Sequence, residues 1–238
     1  MLLEDIQKNL DGLTDETKKF RQIDLAKKYK LNPQTRGIKT GVIRKISRKF
    51  YQEVKEKSKE DIFSLCTELL KTGFSEEKVI AFDWAFRLKG QFEPSDFPIL
   101  ESWLHTYVED WGACDDLCTH ALGAFIYQYP AFIHNLKRWT ASPNRWVRRA
   151  AAVSLIYSVR RGKYLEKVFT IADLLLEDAD DMVQKGYGWM LKVATRHIPD
   201  EVFAYVLNHK KTMPRTSLRY AIEKLPPDKK KEAMRRDF

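Results

Sequence analysis

Apolar and polar residues follow one another along this chain with the period of an α-helix. Alternating runs of Val, Ile and Thr, which are typical of strands, are few. Apolar positions three and four residues apart lie on one face of a helix, whereas a half-buried strand needs a period of two. Glycine is scarce, with 10 residues, and the prolines stand at segment edges. The pattern predicts an all-α protein whose helices are joined by short loops.

Residues that favour helix N-caps mark several of the expected helix starts. Side-chain oxygens of Ser, Thr and Asp accept hydrogen bonds from the unpaired N–H groups of a first helical turn. Thr14, Ser58, Ser75 and Asp180 each precede an amphipathic stretch with acidic residues close behind. We therefore expect a helix to begin directly after each of these positions.

A weak internal repeat indicates how the helices are arranged. Segment 144–155 resembles segment 180–191, which begins 36 residues later, in five of its positions. Both have a polar start, Val at the fourth place, a cation at the sixth, a small residue at the seventh and Leu at the twelfth. Such a period is typical of helix pairs stacked as an α-solenoid, in which the small residues Ala150 and Gly186 permit close packing. A non-repetitive helical bundle is the alternative.

The net charge of the chain indicates which kinds of partner it could bind. Lys and Arg total 42 against 33 Asp and Glu, which gives a net charge of +9. This excess suits a polyanion, either nucleic acid or an anionic membrane surface, although a merely basic soluble protein has the same composition. The longest apolar run, 150–159, is broken by two serines and is far shorter than the ~20 residues of a membrane helix. We expect a cytoplasmic protein without a membrane partner.

Motifs for common cofactors and metals are absent from the sequence. It has no glycine-rich phosphate loop, dinucleotide fingerprint, HExxH or paired CxxC. The five histidines do not cluster with acids at metal-ligand spacing, so each is expected on the surface or in the core. We therefore expect no metal and no cofactor. Buried thiols, and no disulfide framework, are expected at Cys66, Cys114 and Cys118.

One short segment in the middle of the chain pairs a large aromatic residue with a carboxylate. Trp111 and Asp115 stand four residues apart, so on a helix they share a face. A tryptophan beside a carboxylate is typical of a functional site. A core tryptophan followed by an N-capping aspartate is the alternative, and composition alone favours it.

Two further segments carry residues suited to binding. Arg145, Arg148 and Arg149 are spaced three and four apart, so one helix face carries three guanidiniums. With no acids opposite them in this segment, they would bind phosphate bidentately or form a solvated basic face. Trp189 follows glycines at 186 and 188, residues with poor helix propensity. These glycines either permit close packing or present Trp189 to a ligand.

Taken in order, the three segments resemble the AlkD-type DNA alkylation repair family. The shared pattern is a Trp followed four residues later by Asp, then W-V-R-R-A-A at 146–151, then Q-K-G-Y-G-W-M-L at 184–191. The segment Gly-Ile-Lys-Thr at 37–40 is similar to an early family segment, and the likeness extends over about 20–225. The resemblance implies an α-α superhelix of HEAT-like repeats, which we expect as one domain over 1–238 with a basic tail at about 226–238.

The resemblance also implies an activity. Family members are monofunctional DNA glycosylases that hydrolyse the N-glycosidic bond of cationic N3- or N7-alkylated purines in double-stranded DNA. Asp115 would then be catalytic, and Trp111 and Trp189 would contact the lesion and its sugar. Phosphate contacts are expected from Arg149, Arg148, Arg145, Lys185, Arg44 and Arg48. A monomer that associates with the nucleoid when bound to DNA is expected.

The sequence departs from the family pattern at two places. Many members have tandem tryptophans, but here Asp110 precedes Trp111. Some place a Tyr where Lys28 stands here, with Tyr29 next to it, so the early wall of the site is left open. The resemblance implies that DNA is held without a base pocket, and the residues themselves leave base flipping and the preferred lesion open. Two other functions also stay open: a non-catalytic HEAT-repeat protein that binds damaged or branched DNA, and a HEAT-repeat scaffold for an acidic protein.

Overall fold

The structure, a computed structural model, describes residues 2–235. These residues form helices and loops without a strand, apart from one isolated bridge between Gln34 and Phe74. The predicted all-α class is confirmed. None of the described helices is long and apolar enough to cross a membrane. The chain divides into two compact units, 1–121 and 122–238, and the single domain expected over 1–238 stays a prediction.

The described part of the first unit is built on large buried aromatic side chains. Its helices are α1 Leu2–Asp11, α2 Glu16–Lys27, α3 Thr40–Val54, α4 Lys59–Lys71, α5 Ser75–Arg87, α6 Phe97–Tyr107 and α7 Trp111–Thr119, with short 3₁₀ turns at Lys89–Gln91 and Pro94–Asp96. Trp84 and Trp103 are almost fully buried. Their indole N–H groups donate to the Ser47 carbonyl and to the Thr67 hydroxyl, each over 3.1 Å. Those bonds satisfy the one polar group that each ring buries.

The second unit continues the helical chain. Its helices are α8 Ala121–Gln128 (which begins at the last residue of the first unit), α9 Ile133–Trp139, α10 Arg145–Val153, α11 Ile156–Val159, α12 Leu165–Leu174, α13 Asp181–Ala194, α14 Pro199–His209, α15 Arg215–Ala221 and α16 Pro227–Met234, with a 3₁₀ turn at Pro130–Phe132. Part of the expected basic tail thus forms α16. The end of that tail, 236–238, lies outside the described residues.

The predicted helix starts are correct at two positions and one residue off at two others. Ser58 caps α4 by accepting from the Asp61 N–H at 3.1 Å, and Asp180 caps α13. The cap of α2 is Asp15 and not Thr14. Ser75 is the first residue of α5 and not its cap. Both errors have a local cause. Asp15, the neighbour of Thr14, is itself a good N-cap residue, and Ser75 can adopt the helical conformation of a first residue.

The two segments of the weak repeat begin their helices in the same way. The Asn144 side chain accepts a hydrogen bond from the Trp146 N–H at 2.9 Å, and Asp180 accepts one from the Met182 N–H at 2.9 Å. In both cases the side chain two residues before the donor supplies the first cap. The sequence correspondence between 144–155 and 180–191 is thus matched by equivalent local structure.

The two glycines of α13 lie where neighbouring helices approach closely. A Cβ atom on Gly186 would lie 3.1 Å from Cγ of Arg149 on α10. A Cβ atom on Gly188 would lie 2.7 Å from Cβ of Tyr220 and 2.8 Å from the carbonyl oxygen of Ser217, both on α15. Real Cβ contacts are rarely this short, so a side chain at 188 is excluded without movement of α15. These glycines therefore permit close packing, as one of the two interpretations of this segment proposed.

All three cysteines are buried thiols, as predicted. Cys66, Cys114 and Cys118 are buried and none of them forms a disulfide. Burial raises the pKa of the Cys66 thiol, because an apolar environment disfavours the thiolate. Their contribution within the described residues is therefore to packing.

Candidate active site

Helix α7 presents Trp111 and Asp115 one turn apart, as their spacing predicts. The N-cap of α7 is Asp110, whose carboxylate accepts a hydrogen bond from the Ala113 N–H at 2.9 Å. Trp111 and Asp115 are each half-buried. The alternative interpretation, in which Trp111 is core and Asp115 caps the helix, is therefore wrong. The aspartate that stands in place of a tandem tryptophan has a defined structural task.

Trp111 and Asp115 line a cavity of about 550 Å³ in the first unit. Ligand pockets have volumes of roughly 300–1,000 Å³, so this space can admit part of a substrate. Apolar side chains of α2, α3 and α5 form much of its wall. Charged or titratable lining residues besides Asp115 include Arg44, Glu76, Lys78, Asp116 and His120.

Tyr29 packs against Trp111 directly after α2. Their ring centroids are 5.3 Å apart and the ring planes meet at 67°, an edge-to-face arrangement. Lys28, the neighbouring residue, is exposed. Of the two residues between which the sequence left the early wall open, Tyr29 is therefore the one that contacts Trp111. The contact joins two distant parts of the chain, which explains why local patterns did not indicate it.

Arg44 ties α3 to α5 and α7. Its Nη1 lies 3.1 Å from Oδ1 of Asp83, and its Nη2 forms an ion pair with Asp116. The same Nη1 donates to the Val79 carbonyl at 3.2 Å. Arg44 was predicted as a phosphate contact. Two carboxylates already neutralise it in this half-buried position, so its surroundings give that prediction no support.

His120 completes this network at the end of α7. Its Nδ1 lies 3.1 Å from Oδ1 of Asp116 and 2.9 Å from the Asp116 carbonyl oxygen. The hydrogen bond to Asp116 raises the pKa of His120, because the carboxylate stabilises the imidazolium. No sequence motif distinguishes His120 from the other histidines. Its spacing of four from Asp116 is the one local signal for this pair.

A short loop before α3 closes another part of the cavity wall. Oε1 of the buried Glu76 accepts hydrogen bonds from the Arg36 N–H at 2.9 Å, the Ile38 N–H at 3.3 Å and the Thr35 hydroxyl at 2.9 Å. Gly37 has a φ of +76°, and a Cβ there would lie 2.4 Å from the backbone N of Lys19. The loop therefore requires glycine at 37, the first residue of the early family-like segment.

The arginines of α10 have acidic partners in the second unit. Nε of Arg145 lies 2.8 Å from Oδ2 of Asp180, and Nε of Arg148 lies 2.6 Å from Oδ2 of Asp178. Arg148 also donates to the Ser142 carbonyl at 2.9 Å. The premise that no acids face this run is wrong, because the loop before α13 supplies them. Neither a solvated face nor an open phosphate site describes these two side chains.

The other predicted residues of the second unit differ in exposure. Arg149 is only 5% exposed and donates to the Met182 carbonyl. Lys185 forms an ion pair with Asp181 at 2.8 Å. Trp189 is half-buried, and the guanidinium carbon of Arg160 lies 5.9 Å from the centroid of its ring system. Arg160 belongs to none of the segments whose sequence patterns indicated a site.

Arg48 is the predicted phosphate contact with the most open surroundings. It is exposed on α3, and Lys45 and Lys49 on the same helix are exposed as well. Within the described residues it makes no ion pair with a carboxylate. Its position is consistent with the prediction that it contacts an anion.

Comparison with known proteins identifies similar sequences and folds. A family model described as DNA alkylation repair enzyme matches residues 6–225. A solved structure described as a predicted DNA alkylation repair enzyme from Enterococcus faecalis is similar, with a TM-score of 0.71 and 15% identity, over 84% of this chain and 91% of that one. At this identity the likeness shows the fold. No curated protein matches the chain significantly.

Proposed function

Because the chain belongs to the DNA alkylation repair enzyme family, we propose that it is a monofunctional DNA glycosylase. Its substrates are cationic N3- or N7-alkylated purines in double-stranded DNA, and it hydrolyses their N-glycosidic bonds. The family match establishes a role in alkylation repair. The glycosylase reaction and its lesions are the further step proposed here.

The chemistry of the lesion sets what the protein must supply. A purine alkylated at N3 or N7 already carries a positive charge, so it leaves as a neutral base without prior protonation. The bond electrons go to the base, and the deoxyribose gains oxocarbenium character. Water then adds to C1′ and loses a proton. The main requirements are a negative charge near the sugar and an oriented water molecule.

Asp115 is the residue proposed for both requirements. The observation that carries the proposal is its placement one turn from Trp111 on α7, with both side chains lining the same cavity. A half-buried carboxylate interacts more strongly with a developing cation than an exposed one, because the local dielectric constant is lower. Asp115 therefore stabilises the sugar cation and accepts the proton of the attacking water.

The tryptophans supply selectivity for cationic lesions. An indole face attracts a positive charge with about 0.5–2 kcal/mol, depending on desolvation. Trp111, which is in edge-to-face contact with Tyr29, offers such a ring beside Asp115. We propose that Trp189 contacts the damaged nucleotide as well. A neutral, undamaged purine lacks this attraction and is also a poorer leaving group.

The predicted phosphate-binding residues differ in whether a carboxylate of the protein already pairs with them. Arg48 is exposed without a carboxylate partner among the described residues, so it is the contact that the structure favours. Acidic residues already pair with Arg44, Arg145, Arg148 and Lys185. For these four residues and for the buried Arg149, phosphate binding stays a prediction.

The test is excision from a duplex that carries one N7-methylguanine. The protein is incubated with the duplex, abasic sites are cleaved with alkali, and strand breaks are counted. An Asp115→Asn variant should lose activity by about 100-fold or more, which is typical when one transition-state electrostatic contact is removed. Asp110→Asn is the matched control, because asparagine caps a helix as well as aspartate does. It should retain activity and the wild-type melting temperature.

Each other result identifies a different function. Breaks that form before alkali treatment would contradict the monofunctional assignment. Duplex binding without any breaks would favour the non-catalytic DNA-binding protein. Absence of duplex binding, together with binding of an acidic polypeptide, would favour the scaffold. Equal activity of wild type and Asp115→Asn would remove Asp115 from the mechanism.

A further inference from the structure

Arg160 differs from the other arginines around the candidate site residues of the second unit. It stands directly after α11, is exposed, and has its guanidinium carbon 5.9 Å from the Trp189 ring centroid. Within the described residues no carboxylate forms an ion pair with it. Arg145 and Arg148, in contrast, each have an aspartate within 3 Å.

The surroundings of Arg160 disfavour its own charge. Although the residue as a whole is exposed, partial desolvation lowers the pKa of its guanidinium, and the adjacent positive charge of Arg161 lowers that pKa further. A cation that the protein itself does not neutralise is stabilised when an anion binds. Binding of an anion would therefore stabilise the charged form of Arg160, which lies beside the proposed lesion contact Trp189.

Two more cations without carboxylate partners stand in the turn after α11 and in the segment that this turn contacts. Lys163 is exposed in the turn after α11, where Gly162 adopts a φ of +68°. A Cβ on Gly162 would lie 3.4 Å from Nδ1 of His197, so this turn touches the residues that follow α13. Arg196 immediately precedes His197 and is exposed. Neither Lys163 nor Arg196 makes an ion pair among the described residues.

We propose that Arg160, Lys163 and Arg196 form a phosphodiester-binding patch that holds the DNA backbone next to Trp189. Arginine donates to phosphate oxygens through a planar fork, and lysine supplies a mobile point charge, so the set suits successive phosphates. The choice of DNA as the polyanion rests on the proposed function. Phosphate binding is thus proposed for three residues that the sequence pattern did not indicate.

Arg161 offers a matched control within the same turn. Its guanidinium carbon lies 3.5 Å from the centroid of the Tyr157 ring, and its Nη1 donates to the Tyr157 carbonyl at 2.7 Å. The ring and the backbone carbonyl of Tyr157 therefore already stabilise the positive charge of Arg161. Arg161→Gln removes the same charge as Arg160→Gln from the next position along the chain, without removing a proposed phosphate contact.

The experiment measures affinity for an undamaged duplex by fluorescence anisotropy over a series of salt concentrations. Each lost phosphate contact lowers the slope of log K against log salt by about 0.9 and weakens binding roughly eight-fold at about 0.1 M salt. We expect this change for Arg160→Gln and less than half of it for Arg161→Gln. Arg160→Lys should restore the slope. Circular dichroism melting confirms that each variant is folded.

The outcomes separate this patch from the proposed function. If wild type binds the duplex and Arg160→Gln has the same slope, the patch is refuted while the glycosylase proposal stands. If wild type excises the lesion but polyglutamate binding alone depends on Arg160, the patch serves an acidic protein and the inference is wrong. If wild type does not bind DNA, both proposals fail. Excision is measured separately on the damaged duplex. A variant or wild-type protein that lacks excision activity therefore still gives a valid salt slope on the undamaged duplex.

Discussion

Two glycines in described helices have opposite surroundings. A Cβ on Gly188 would meet Tyr220 and the backbone of Ser217 within 2.8 Å. Around Gly41 in α3, nothing lies within 4 Å of the position that a Cβ would take. The same substitution therefore tests close packing at one site and backbone entropy at the other.

We expect Gly188→Ala and Gly41→Ala to change stability in opposite directions. At 188 the new methyl group must displace α15, and overpacking of this kind costs about 1–3 kcal/mol. At 41 alanine favours the helix and restricts the unfolded chain, which stabilises by about 0.5 kcal/mol. Urea denaturation measures both changes. An unaltered free energy of unfolding for Gly188→Ala would mean that α13 and α15 are less tightly packed than described.

Charged residues show why a one-dimensional pattern predicts some contacts and misses others. The sequence correctly placed Trp111 and Asp115 on one helix face, because that relation depends only on spacing within α7. It missed the partner of Arg148, since Asp178 lies 30 residues away along the chain. Charge that looks uncompensated within one segment can be neutralised by the next one.

At the scale of helices, α7 is fixed near both ends. Asp110 caps its start, and Asp116 near its end is held by Arg44 and His120. Asp115 lies between these two fixed points. The capping bond and the ion-pair network on either side therefore help to hold the helical turn that carries Asp115.

The stability of this helix should depend on pH through His120. Its pKa is raised in the folded protein, so the stabilisation is fully present below the ordinary pKa of about 6.5 and is lost as pH rises through the raised value. Asn at 120 can keep a hydrogen bond but cannot titrate. Relative to His120→Asn, wild type should gain melting temperature between about pH 8 and pH 6.

The size and cause of this effect can be checked together. A contribution of about 1 kcal/mol corresponds to a shift of about 2–4 °C for a chain of this length. The groups that face His120 are Asp116, Arg44, Thr119 and the ring of Phe86. In an Asp116→Asn background the pH-dependent difference should disappear. If it persists, another group is responsible for the titration.

Helix boundaries were easier to predict than helix contacts. The caps at Ser58 and Asp180 follow from local hydrogen-bonding chemistry, which the sequence displays directly. The edge-to-face contact of Tyr29 with Trp111 requires α2 and α7 to be placed in space first. The same applies to the three hydrogen bonds that Glu76 accepts from the loop before α3.

At the scale of the whole molecule, a net charge of +9 predicts competition between damaged and undamaged DNA. Non-specific affinity depends steeply on salt, because each phosphate contact releases counterions. Excess undamaged duplex should therefore slow excision of N7-methylguanine strongly at about 50 mM salt and only weakly at about 200 mM. Excision time courses with and without competitor measure this. Equal inhibition at both salt concentrations would contradict an electrostatic origin.

The general fold class was predictable because helical periodicity extends over most of the chain. The order of the Trp111, Arg149 and Trp189 segments was sufficient to indicate the family, which the match over 6–225 then established. The phosphate patch was not predictable in the same way. Arg160, Lys163 and Arg196 do not stand out in the sequence, and the contact of the turn at Gly162 with His197, which relates them, depends on the folded structure.

The buried thiols have a practical consequence for spectroscopy. Thiol-reactive dyes require an accessible thiolate, and the native cysteines at 66, 114 and 118 are shielded from solvent. One cysteine introduced at an exposed position such as Glu166 would therefore carry a fluorophore selectively, with the native sequence otherwise intact. Such a labelled protein would report the arrival of DNA in real time, before any bond is broken.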